Sequence, residues 1–100
     1  MAEIVWTQEA VQWLEEIFEH IAADNPHAAT AVTSGIFERA QILSDFPQIG
    51  YLYRREQEGE VRVLLHGHYR IAYLVREQHV DVLGVFHAAL DINRLLGPAD

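Results

Sequence analysis

The sequence predicts an α+β domain, with an antiparallel helical hairpin packed on an antiparallel sheet of three to four strands. Three observations lead there. A short β-rich run is followed by two segments whose apolar residues recur at helical spacing. The second half then changes to strand-like runs separated by short connections. The total of 100 residues, half of them hydrophobic, suits one domain with one core.

Glu3 to Trp6 is β-branched and aromatic and reads as the first strand. Thr7 can cap the helix that follows, with Glu9 placed early where a carboxylate favours the dipole. Ala10, Leu14, Ile17, Phe18 and Ile21 form the apolar stripe of this helix, while Glu15, Glu16 and Glu19 occupy other faces. Asp24-Asn25-Pro26 breaks and restarts the chain, since Asn25 can cap and Pro26 suits a first helical position. The second helix carries Ala29, Val32, Ile36, Ala40 and Leu43 on one stripe, and Gly35 in its middle offers room for the first helix. Phe46-Pro47-Gln48-Ile49-Gly50 ends it. Residues 51–59 are charged and irregular and read as a loop. Glu60–Leu65, Tyr69–Val75 and Val80–Phe86 are three strands of an antiparallel meander, turning at His66-Gly67-His68 and Glu77-Gln78-His79. Asp91–Leu96 reads as a short helical tail before Gly97 and Pro98.

Composition narrows the function classes. Cysteine is absent, so neither disulfides nor thiol chemistry are available, which suits a reducing cytoplasm. Neither a secretory signal nor an apolar run of membrane-spanning length is visible, so the expectation is a soluble cytoplasmic protein without a membrane role. Formal net charge is −8, which argues against tight general binding of nucleic acid. The charge is also uneven. Residues 1–50 hold eight acids and one base, Arg39, whereas five of the seven arginines fall between Arg54 and Arg76. An arginine face on an acidic body fits one anionic partner or a carboxylate-bearing peptide.

Strand parity assigns Tyr69, Ile71, Tyr73 and Val75 to the helix-facing side, with Tyr73 as core packing. The other side is read as a mixture of Leu64, Ala72 and Leu74 with Arg62 and Arg70. That surface is too apolar to be merely solvated and is expected to stay open for a partner.

Several segments together resemble the RelE/ParE superfamily of toxins from bacterial type II toxin–antitoxin systems, ParE-like members above all. They are Val5-Trp6-Thr7 with Ala10, Ile17 through Ile21, Asp24-Asn25-Pro26 with Ala28-Ala29, and Phe46 through Gly50. Val61-Arg62-Val63-Leu64, Tyr69 through Tyr73 and Val82 through His87 match the family's three-strand ending, so the resemblance covers about residues 3–95. It implies a single toxin domain over residues 1–100, held inactive by a cognate antitoxin in a hetero-oligomer. ParE-like members poison DNA gyrase and arrest growth; RelE-like members cleave messenger RNA at the ribosome; related modules stabilise plasmids. RelE-type nucleases resemble one another in a basic surface with Lys, Arg and a late Tyr that stabilise charge on phosphate. This chain has no Lys, nothing aromatic after Phe86, and Leu90 where a further base is common. The resemblance therefore implies inhibition by binding rather than catalysis. A RelE-like nuclease and a non-toxic antitoxin-binding relative remain the alternatives.

The residues expected at an antitoxin or target surface are Arg62, Leu64, Arg70, Leu74, His87, Arg54 and Arg55. Arg62 and Arg70 could grip carboxylates bidentately, or pair with Glu60 or Asp81 across strands. Arg54 and Arg55 read as solvated loop charges with a role in target contact as the alternative. A histidine such as His87 could serve as a general acid or base, yet no nucleophile or second base accompanies it, so a closing hydrogen bond at the sheet edge competes with acid–base chemistry. His66 and His68 lack a third ligand at diagnostic spacing, and Glu16 with His20 reads as a helical i,i+4 contact. Nothing in the sequence signals a cofactor.

Overall fold

The computed structural model describes residues Met1–Asp100. The order is β1 (Glu3–Trp6), α1 (Gln8–Ala22), α2 (Pro26–Gln41), a 3-10 turn (Ile42–Ser44), β2 (Tyr51–Glu56), β3 (Gly59–His66), β4 (Tyr69–Val75), β5 (His79–His87) and α3 (Ile92–Leu96). The capping logic holds locally. The Thr7 hydroxyl accepts from the Ala10 amide, the Asn25 side chain accepts from the Ala28 amide, and the Asp91 carboxylate accepts from the Asn93 amide. No helix is long and apolar enough to cross a membrane.

The sheet has five strands in the order β1-β5-β4-β3-β2, so it exceeds the expected three to four. It is also mixed rather than purely antiparallel, because β1 runs parallel to β5, with Trp6 opposite Val82. The segment expected as a loop at 51–59 supplies the fifth strand, β2, on the outer edge. Its signal was hidden for two reasons. Edge strands carry solvent-facing charges, here Arg54, Arg55 and Glu56. A register shift between Leu52 and Arg54 also breaks the period-two pattern at Tyr53.

One face of the sheet meets the helical hairpin. Ala10, Ile36, Ala40 and Leu43 pack on Leu64, Ile71, Tyr73, Val80, Val82 and Val85, all essentially out of water. Each large aliphatic buried here contributes about 1.5–3 kcal/mol of transfer free energy. Phe18 departs from the expected stripe and is 38% exposed. Gly35 faces the His66 ring rather than α1. Tyr73 is fully buried, and its hydroxyl accepts the Gly50 amide proton at 2.9 Å. A side chain at Gly50 would lie 2.6 Å from the Val63 carbonyl oxygen, so the loop can close onto β3 only through glycine.

On the opposite, back face, Tyr53, Val61, Val63 and Leu74 form a second cluster, covered by Ile92 and Leu96 of α3. The C-terminal tail thus seals half of the face expected to be open.

Candidate partner-binding surface

The two-residue turn at Gly67-His68 sets the β3–β4 register: His66 pairs with Tyr69, Leu65 with Arg70, Val63 with Ala72 and Val61 with Leu74. Directly opposed residues share a face. Leu65, Val63 and Val61 therefore belong with Arg70, Ala72 and Leu74 on the back. Leu64 and Arg62 belong with Ile71 and Tyr73 on the helix side. This corrects the expected face assignment of β3.

Four of the seven expected surface residues are consequently committed to the fold. Leu64 is 2% exposed in the helix-side core, and Leu74 is 6% exposed beneath α3. Arg62 pairs with Glu60 at 2.9 Å and donates to the Gln48 and Gly50 carbonyls, which fastens the 45–50 loop to the sheet. Arg54 pairs with Glu56 and donates to the Leu96 and Pro98 carbonyls, so it is no solvated loop charge but a clamp on the tail. Tyr53 joins that clamp by donating to the Gly97 carbonyl.

Three remain accessible. The Arg55 side chain is 69% exposed and only 4.0 Å from Glu60 at its closest. Arg76 pairs with Asp81, so among the arginines from Arg54 to Arg76 only Arg70 has neither an ion pair nor a side-chain hydrogen bond. Beside it lies Leu65, 56% exposed, and next to β3 the edge residue Tyr51, 46% exposed. Phe46 and Ile49 of the preceding loop are also exposed, at 59% and 48%. These apolar side chains were not among the sequence-derived candidates. Counting outward from the two-residue turn would have placed Leu65 beside Arg70, since such a turn fixes register.

His87 is exposed at the end of β5, opposite Tyr69 and therefore on the helix side. Its ring stacks on His68 at 6.1 Å and meets Tyr69 edge-on at 5.6 Å. Its Nδ1 accepts the Ala89 amide proton at 3.0 Å, which leaves the neutral ring its proton on Nε2. The outward atom of His87 is then a donor rather than a base. Arg70 pairs with Phe86 and lies on the other face. The two accessible groups matching the family pattern consequently diverge and do not converge on one phosphate. No three of the histidines and carboxylates are grouped closely enough to hold a metal.

Residues 4–92 match the family model described as the ParE toxin of type II toxin-antitoxin systems, parDE. The chain belongs to the ParE toxin family. It is similar to the protein named "Putative toxin Y4kP" of Sinorhizobium fredii (strain NBRC 101917 / NGR234), with 34% identity over 85 residues, 85% of this chain and 86% of that relative. Its fold is similar to a solved chain of the "Chromosomal ParDE TA system from P. aeruginosa". That likeness has a TM-score of 0.72 at 21% identity, spans 87% of this chain and 96% of the other, and concerns the fold alone. In this ParE-family chain the uncovered end of the back face thus holds one unpaired guanidinium, Arg70, beside the exposed Leu65.

Proposed function

We propose that this ParE-family chain arrests growth by binding its cellular target, DNA gyrase, and is neutralised by a cognate antitoxin held on the open end of the back face. The observation that carries the surface is Arg70: it has no intramolecular partner and stands beside the exposed Leu65. An unpaired arginine beside an exposed leucine suits a peptide segment that supplies a carboxylate and a hydrophobic side chain. Family membership supports the toxin reading, and gyrase follows from the resemblance to ParE-like members. The divergence of Arg70 and His87, with Nδ1 of His87 occupied, favours binding over phosphate chemistry.

Expression without the antitoxin should arrest growth and abolish supercoiling by purified gyrase, and co-expression should restore both. Arg70→Glu should weaken antitoxin binding at least about tenfold, a change of about 1.4 kcal/mol, while leaving the fold intact. Cleavage of translated messages in a ribosome-supplied assay, lost in His87→Ala, would replace this reading with the nuclease one. Firm antitoxin binding with unaffected growth would instead mark a non-toxic relative.

A further inference from the structure

β1 ends at Trp6, opposite Val82, and beyond that point the outer side of β5 is flanked by α1 instead of a strand. Trp13 of α1 stands in the middle of this margin, edge-on to Phe86 at 4.8 Å. Three adjoining hollows share Trp13. One runs towards α3, between Leu83 and Leu95. Another follows α1 past Glu9 and Glu16. The last, of about 240 Å³, runs towards the end of the sheet, between Ile17 and Leu90.

Together they make a groove with a hydrophobic residue exposed at each end, Leu95 at 39% and Leu90 at 43%. Its charge is one-sided. Glu9 and Glu16 line it, no arginine does, and the chain has no lysine. Neither carboxylate has an ion-pair partner within the molecule. His20, Tyr69 and His87 are the other titratable side chains facing it.

We infer that this groove is a second docking surface, and that its occupant is a basic amphipathic segment of a protein partner. Apolar side chains of the segment rest against Trp13, Leu90 and Leu95, and its lysines or arginines face Glu9 and Glu16. The sign is opposite to that of the Arg70 surface, so the two sites select different segments, and this inference holds whether or not the chain arrests growth. Complementary charge orients the segment and excludes an acidic one, while the apolar contacts supply the affinity.

The test uses the full chain and two synthetic amphipathic peptides with the same Leu/Phe stripe, one flanked by Lys and the other by Glu. Amide NMR should show the Lys peptide perturbing α1 and residues 83–95, with affinity at least about tenfold above the Glu peptide, or about 1.4 kcal/mol. Added salt should reduce that preference. Glu9→Gln with Glu16→Gln should remove most of it, and Leu90→Ser should weaken both peptides. Glu9, Glu16 and Leu90 are exposed, so these variants do not probe folding. Arg70→Glu should leave Lys-peptide affinity unchanged. The inference is overturned if neither peptide binds, if both bind equally, or if the shifts map to the Leu65–Arg70 end. Concentration-dependent self-association through Trp13 and Leu90 would overturn it in favour of a second copy of this chain.

Discussion

The two ends of the back face are built from the same three strands, yet they do different work. At one end Tyr53, Val61, Val63 and Leu74 lie under Ile92 and Leu96, and Arg54 is spent on the tail carbonyls. At the other, Leu65 and Tyr51 face water and Arg70 has no partner. Residue type does not separate them, since each end offers aliphatic side chains, a tyrosine and an arginine. What separates them is where ten residues of tail happen to lie, because desolvation by α3 turns one end into core and leaves the other as surface. An arginine is structural or available according to which carbonyls and carboxylates come within reach.

Truncation should expose this contrast most sharply. Leu74→Ala opens a cavity under α3 and should cost about 2–5 kcal/mol, whereas Leu65→Ala should stay within about 0.5 kcal/mol. Denaturant titration of both variants checks it, and equal losses would show that the tail does not cover Leu74 in solution.

The helix side gives the next test. Burial pushes the Tyr73 hydroxyl above its ordinary value of 10.0, while the Gly50 amide and the Arg62 guanidinium pull it down less strongly. Such a group adds stability that is fully present below the unfolded value and is lost as pH rises through the higher folded value. Stability should therefore decline above about pH 10 through Tyr73. Tyr73→Phe should cost about 1–3 kcal/mol at neutral pH by orphaning the Gly50 amide, and should flatten that alkaline slope. A slope identical to the parent's would assign the titration to another group.

The smallest effect concerns the two arginines. Arg54→Ala should lose about 1–2 kcal/mol, discounted for its partial exposure, and should raise hydrogen exchange in Ile92–Leu96. Arg70→Ala should change stability by less than about 0.5 kcal/mol and act only on partner binding. If the two variants are equally destabilised, the division of labour between them is wrong.

The candidate surface was legible in the sequence only in part. Arg70 could be singled out because it matches the family pattern on the face expected to be open, and the structure leaves it half-buried there without an ion pair. Leu64 could not be placed, because Val63, Leu64 and Leu65 are consecutive and apolar, so alternation alone does not say which of them faces the helices. The roles of Arg54 and Arg62 were hidden for another reason. Their acceptors include carbonyls at Gly50, Leu96 and Pro98, and a backbone carbonyl leaves no mark in residue type.

Local chemistry by itself determined the helical hairpin with its Thr7 and Asn25 caps, the three-strand meander, and the short helix after Asp91, because capping, periodicity and turn residues act over a few positions. Only the tertiary structure decided that β1 pairs in parallel with β5, that residues 51–56 form an edge strand, and that α3 folds back over one end of the back face. Those outcomes depend on contacts between residues far apart in the chain. Their free energy comes from burying surfaces that no single segment contains.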